Sequence, residues 1–279
     1  MQLTDCHTHT EISPDSDAKI TDMLQAAKQA GLAAYAVTDH IELCRWYPQG
    51  YYKAHPRNDE DSFDYAARFG QSMQQNLRMK ENAQELTFIS GIELGEPDVD
   101  FALAERIYQD PRLDFTIASL HELQGKLDFY FLDYAQEDVD ALLERYFASL
   151  LTIAEHDCYD VLGHITYPLR YIEGDAGIPV DITAFRDSIA EVFKAAIARG
   201  KGIELNTSGY RQKYGKPFPD AELLKLYKDL GGRILTLGSD AHRPEDVAGG
   251  IAEGAALAKS VGFDRIGYYL HHDPCYITI

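Results

Sequence analysis

Short apolar runs alternate with longer amphipathic stretches along most of the chain, and this alternation restricts the fold more than any single residue. Runs of strand length lie near Gln2–Cys6, Ala33–Val37, Thr87–Ile92, Asp114–Ala118, Val161–Gly163, Gly202–Leu205 and Ile234–Leu237, with a weaker eighth near Arg265–Tyr269. Between them, Val139–Ala154 carries Leu142, Leu143, Tyr146, Phe147, Leu150 and Ile153 at helical spacing. Thr21–Ala30, Ile182–Arg199 and Asp220–Leu230 read as helices too, and each is followed by glycine, a common helix stop. Strand–helix alternation predicts an α/β fold with a parallel sheet and helices outside it. A length of 279 residues suits one large barrel or two ordinary domains. No repeat or linker-like tract divides the chain, so a single domain over residues 1–279 is expected.

The alternation lapses between about residues 41 and 85. Trp46, Tyr47, Pro48, Tyr51, Tyr52 and Pro56 occupy a polar, irregular stretch, and a helix is expected at about Phe63–Lys80. This is too long for a simple connection. It reads either as a lid over a barrel mouth or as a packed surface excursion.

Ligand-type side chains recur where the strands end. Asp5-Cys6-His7-Thr8-His9 follows the first run, Thr38-Asp39-His40 the second, Gly91-Ile92-Glu93 the third, Ser119-Leu120-His121 the fourth, Gly163-His164 the fifth and Ser239-Asp240-Ala241-His242 the last clear one. Positions two apart on a strand face the same side, so His7 and His9 point together, as do Asp240 and His242. Catalytic residues of α/β barrels sit at the carboxyl ends of the strands. Taken singly, each has a bland alternative: a packed histidine, a salt-bridged carboxylate or, for Asp15, a turn cap. Six strands delivering such residues to one end argue for a metal site. Imidazole and carboxylate without thiolate suit Zn, Mn or Fe. A single catalytic ion takes about three protein ligands, so nine candidates imply two or three ions, with a carboxylate such as Glu93 bridging. Cys6 alternates away from His7 and is not expected to coordinate. His55, His156, His271 and His272 lack this context and are read as ordinary polar residues.

Composition narrows the partners. The formal charge of −19 opposes binding to phosphate backbones or anionic lipids, so long nucleic acid and membrane are not expected. The four cysteines form no CxxC pair and read as reduced thiols. No apolar stretch approaches a membrane span and the start is not signal-like, which makes a cytoplasmic location the expectation.

Together these motifs resemble the PHP (polymerase and histidinol phosphatase) metallohydrolase family, in the right order and over essentially the whole chain. Glu204-Leu205-Asn206-Thr207-Ser208-Gly209 with Arg211, and Gly163-His164 with Arg170, look like its histidinol-phosphatase subgroup. The resemblance implies a distorted seven-stranded (β/α)7 TIM-like barrel with a trinuclear centre. One ion would take His7, His9, Glu93 and Asp240. A second would share Glu93 and take His121 and His164, and a third would take Asp15, His40 and His242. Many relatives carry histidine in place of Asp15, with carboxylate as a known variant. Glu93, Asp240 and His242 would be catalytic as well as ligating, and Asp5 would stand behind the ligands, orienting a histidine.

The implied reaction is metal-dependent hydrolysis of a small phosphomonoester, L-histidinol phosphate, in histidine biosynthesis. Arg170 and Arg211 would clamp the phosphate, since guanidinium matches its oxygens bidentately. Glu42, Asp59, Glu60, Asp61 and Asp64 would face the substrate ammonium, and Trp46, Tyr47, Tyr51 and Tyr52 its ring. Two competing readings are a PHP phosphoesterase for nucleotides or nucleic-acid ends, and a metal-stabilised accessory module without turnover.

Overall fold

A computed structural model describes residues 3–43 and 65–279. Among the described residues, nine strands form one sheet in sequence order. β1 is Thr4–Asp5, β2 Ala34–Glu42, β3 Thr87–Gly95, β4 Phe115–Ser119, β5 Val161–Leu162, β6 Gly202–Asn206, β7 Leu235–Gly238, β8 Arg265–Leu270 and β9 Asp273–Thr278. Every neighbouring pair from β1 to β8 is parallel, and only β8–β9 is antiparallel. The segment after β1 then bonds back to β7 and its loop. Cys6 N donates to Leu237 O at 2.8 Å, Asp240 N to His7 O at 2.8 Å and His9 N to Ala241 O at 2.9 Å. The sheet therefore curls until its first and seventh strands meet.

Helices cover the outside. α1 is Ile20–Gln29, α2 Tyr65–Lys80, α3 Phe101–Tyr108, α4 Val139–Ala154, α5 Arg186–Ala198, α6 Ala221–Asp229 and α7 Ile251–Ser260. α4 has the predicted bounds because both signals agree. Asp138 caps its start by accepting from Ala141 N, and its apolar stripe is buried. α3 and α7 were not anticipated, and neither was β9. The helix expected at Phe63–Lys80 begins, in the described chain, at Tyr65. The irregular part of the expected lid, including Trp46, Tyr47, Tyr51, Tyr52, Asp59, Glu60, Asp61 and Asp64, lies outside the described residues. No helix among the described residues is long and apolar enough to cross a membrane.

Strand alternation divides the barrel wall. On β2, Tyr35 and Val37 pack outward with Met23, Leu24 and Ala27 of α1. Ala34 and Ala36 face inward, with Ile89, Phe115, Ile117 and Val161. The β8–β9 hairpin closes the amino ends of the strands. Tyr269 stacks on Phe115 with ring centroids 5.2 Å apart, and His272 N bonds Asp114 O at 2.9 Å. Cys6 belongs to this lower core, its Sγ 3.8 Å from Gly267 O. With that end filled by apolar side chains, the polar inward positions higher on the strands face the opposite end.

Candidate metal centre

The β2–β3 register sets the centre. His40 is the direct partner of Glu93 across parallel strands, and Gly91 is Thr38's. A Cβ on Gly91 would lie 2.9 Å from the Thr38 methyl, so this close approach needs glycine. Glu93 is almost fully buried and touches residues from four other strand ends. Its Oε1 lies 2.8 Å from His164 Nε2, 3.1 Å from His121 Nε2 and 2.6 Å from Ser119 Oγ. Its Oε2 lies 3.3 Å from His7 Nε2, 3.6 Å from His9 Nε2 and 2.9 Å from His40 Nδ1.

Asp240 closes one side, its Oδ1 3.3 Å from His9 Nε2 and 3.8 Å from His7 Nε2. The half-exposed Asp15 closes another, its Oδ2 3.0 Å from His242 Nε2 and 3.6 Å from His40 Nε2. The nine residues singled out from the sequence thus converge on one end of the barrel, under a cavity of about 720 Å³.

Electrostatics explain what such an arrangement demands. Burial pushes the Glu93 carboxyl up, but His7, His40 and His121 outweigh it and hold the group well below the usual carboxylate range. Burial likewise opposes charge on His7, yet Glu204, Glu93 and Asp240 raise it well above the ordinary imidazole value. The carboxylates call for positive charge at the point where they meet. Several atoms aimed there are buried without a hydrogen-bond partner, namely His7 Nε2, His9 Nε2, His242 Nε2 and Glu93 Oε2. Buried polar atoms without partners are costly. The ligand atoms of His7, His9 and Asp240 lie within 4.8 Å of one another, as do those of His7, Glu93 and His164, of His40, Glu93 and His121, and of His9, His40 and His242. Borderline nitrogen and hard oxygen donors at this spacing fit divalent cations.

Around these donors lies a set of supports that the sequence reading assigned otherwise or passed over. Asp5 touches no imidazole among its bonds. Its carboxylate accepts from Ser239 N at 2.8 Å, Ser239 Oγ at 2.6 Å, Ala248 N at 2.9 Å and His7 N at 3.5 Å, so it anchors the loop carrying Asp240 and meets His7 through the backbone rather than the ring. The His7 ring is held by Glu204 instead, at 2.7 Å. Asp39 accepts from Thr10 N and Ser13 Oγ, and Ser13 Oγ meets His9 Nδ1 at 3.1 Å. Glu42, expected to face a substrate, lies 2.9 Å from His40 Nδ1 and 3.4 Å from His121 Nδ1. Beside it, burial and then the Glu42 charge push the Glu96 carboxyl well up. Glu96 Oε1 also accepts from His121 N at 2.7 Å.

The cavity rim carries both predicted arginines. Arg211 Nη2 donates to Asp240 O at 2.8 Å, with its Nε 3.5 Å from Asp246 Oδ1. Arg170 lies over the Tyr171 ring at 5.2 Å. Asp128, Tyr130 and Phe131 line the same space. Asp128 was not anticipated, because nothing in its sequence neighbourhood sets it apart from other loop acids.

A parallel α/β barrel wall with a buried imidazole–carboxylate cage at the strand carboxyl ends defines a candidate divalent-metal-binding protein. The PHP domain model matches residues 5–208. The chain belongs to the PHP domain family. It is 28% identical over 95% of its length, and 94% of the relative, to a Thermotoga maritima protein named "probable histidinol-phosphatase". It is 24% identical to the histidinol-phosphatase of Lactococcus lactis subsp. lactis, over 96% of this chain and 95% of that one. Among solved structures, it is similar to the L. lactis histidinol phosphate phosphatase complexed with Zn, L-histidinol and phosphate. There the TM-score is 0.78 with 23% identity, covering 98% of this chain and 99% of that one.

Proposed function

We propose that this protein is a metal-dependent phosphomonoesterase acting on L-histidinol phosphate. The observation that carries the reading is the Glu93 cage beneath a cavity whose rim presents Arg170 and Arg211. Relatives named for this activity support the choice of substrate.

Two or three divalent ions (Zn, Mn or Fe) would be held by His7, His9, Glu93 and Asp240, by Glu93, His121 and His164, and by Asp15, His40 and His242. Bound divalent cations supply Lewis acidity and lower the pKa of water. The chain's own residues do the rest. Arg170 and Arg211 bind the phosphate oxygens, and the bonds from Arg211 to Asp240 O and Asp246 aim its guanidinium. Asp128 takes the ammonium of the leaving alcohol, and Tyr130 and Phe131 flank its ring. Tyr167 and Tyr171, joined through their hydroxyls at 2.9 Å, wall the cavity and limit water. A net charge of −19 keeps long nucleic acid away, while cations held at His7, His9, Glu93 and Asp240 would reverse that field locally for a small phosphate.

Phosphate release across a phosphomonoester panel, with protein reconstituted in Zn, Mn or Fe, tests the reading. Histidinol phosphate should give the highest kcat/KM. Preference for mononucleotides or 3′,5′-bisphosphates would overturn it.

A further inference from the structure

Glu204 lies inside the cage wall on β6 but belongs to none of the groups whose atoms are spaced to share an ion. Its Oε1 is 2.7 Å from His7 Nδ1, and both side chains are only 1% exposed. Its Oε2 accepts from His164 N at 2.8 Å and from Asn206 Nδ2 at 3.2 Å. The Asn206 amide has no freedom to turn over, because its Oδ1 already accepts from Ser208 N at 3.0 Å and Ser208 Oγ at 2.6 Å. Space is cut for the pair as well. A Cβ on Gly238 would fall 2.1 Å from Glu204 Oε1 and 2.5 Å from His7 Cβ, so β7 must carry glycine beside them.

These contacts fix a proton. Oε2 faces two N–H donors, which makes it an acceptor, and a carboxylate has no hydrogen to give at Oε1. His7 Nδ1 must therefore carry the hydrogen of that 2.7 Å contact. In the neutral ring Nε2 is then a bare lone pair, aimed to where Glu93 Oε2 and Asp240 Oδ1 stand 3.3 and 3.8 Å away. We propose that Glu204 is a positioning residue that locks His7 in its cation-binding tautomer and fixes the backbone of His164, aligning ligands from the ends of β1 and β5 through one buried side chain. The inference rests on the reading of this site as a metal centre. Partners of this kind raise ligand basicity and remove the cost of choosing a tautomer at binding.

Glu204→Gln keeps the shape but offers one acceptor and one NH2. With its oxygen kept toward His164 N and Asn206, the NH2 faces His7 Nδ1 and drives the ring proton to Nε2. The test uses nitrogen-15 histidine NMR on metal-free protein, at a pH where the His7 ring is neutral, and chelator-competition titration with Zn. Wild type should show His7 protonated at Nδ1. Glu204→Gln should show it at Nε2, with Zn affinity lower by about 10–100-fold and the metal-free fold retained by circular dichroism. An Nε2–H tautomer in wild type would overturn the proposal without any variant. Unchanged tautomer and affinity in Glu204→Gln would overturn it while leaving the metal centre standing. A wild-type protein that binds no Zn would overturn both.

Discussion

The imidazoles of His9 and His242 stack with centroids 4.1 Å apart and planes 19° from parallel. His40 also packs on His9, with centroids 4.3 Å apart, and lies 5.8 Å from His242. Three rings in contact cannot all carry charge. Burial, and then His242 and His40, depress the His9 pKa from 6.5 to about 3. Burial and these two neighbouring rings together keep His9 neutral and able to ligate.

A pH dependence of the metal-free protein follows. The unfolded chain takes up the His9 proton near 6.5, whereas the folded state resists it until about 3. Between those values the unfolded state binds more protons, so the His9 contribution is present above 6.5 and is lost as pH falls. His7, His40 and His121, raised by their carboxylates, act in the opposite sense and lose their contribution as pH rises through their folded values. Comparison with His9→Asn isolates the one group. Urea midpoints of the metal-free protein should fall less from pH 7 to pH 4 in His9→Asn than in wild type.

Removal of the carboxylate at the centre of the cage should be more damaging than removal of a peripheral one. Glu93 meets five imidazoles from four strand ends, while Asp15 meets two imidazoles and is half exposed. Glu93→Gln should abolish stoichiometric metal binding and cut phosphatase turnover by orders of magnitude. Asp15→Asn should lose one ion and retain measurable turnover. Elemental analysis and phosphate release on the same samples check the order.

Gly95 should be as sensitive as a ligand. A Cβ there would sit 1.8 Å from Glu42 Oε2, and Gly95 is paired with Glu42 across β2 and β3. Gly95→Ala must displace the carboxylate that holds His40 and His121. Overpacking of this kind costs about 1–3 kcal/mol. The thermal midpoint and Zn affinity should both drop, and Gly31→Ala, at an open helix stop, should leave Zn affinity unchanged.

How far the sequence foretold this site depends on what each residue does. Ligands following apolar runs at spacing two were legible, since strand periodicity alone brings His7, His9, His40 and Glu93 to one end. The outer carboxylates were not. Glu204 opens the Glu204–Gly209 stretch that resembles the histidinol-phosphatase subgroup, but the resemblance gave it no role, and only the neighbouring strands reveal that His7 and His164 meet it. Asp5, so close to His7 in sequence, drew the role that Glu204 performs. β9 escaped because its hairpin turn is His271-His272, both at positive φ, in place of the Asn-Gly type pair that announces such turns. α3 has only eight residues, fewer than periodicity needs to stand out.

Asp128 gives the cavity its own pH signature. Burial raises its carboxyl from 3.8 to about 6, against a smaller opposing pull from His121. Ionisation is thus delayed in the folded state, and the stability this group contributes at low pH is lost as pH rises through about 6. A cation in the leaving alcohol gains its partner over the same interval. KM for an aminoalkyl phosphate should fall as pH rises through about 6, and Asp128→Asn should flatten that fall. For an uncharged alkyl phosphate, wild type and Asp128→Asn should show parallel KM profiles.

The opposite end of the barrel should separate stability from catalysis. Asp160, just before β5, is 1% exposed and accepts from Thr116 N at 2.8 Å, Tyr108 Oη at 2.9 Å and His272 Nδ1 at 2.8 Å. It ties β4, α3 and the β8–β9 turn together where the strands begin, and His164 lies four residues on, at the other end of β5. This end of the barrel lies away from the candidate ligands, so its geometry serves the fold rather than the chemistry. In Asp160→Asn the oxygen can keep Thr116 N and His272 Nδ1 while the NH2 donates to Tyr108 Oη, so what is lost is the charge on a buried acceptor, at a cost of about 1–3 kcal/mol. The urea midpoint should fall accordingly. Zn affinity and kcat, measured well below the unfolding transition, should stay at wild-type values, since none of the ligands shares a hydrogen bond with Asp160.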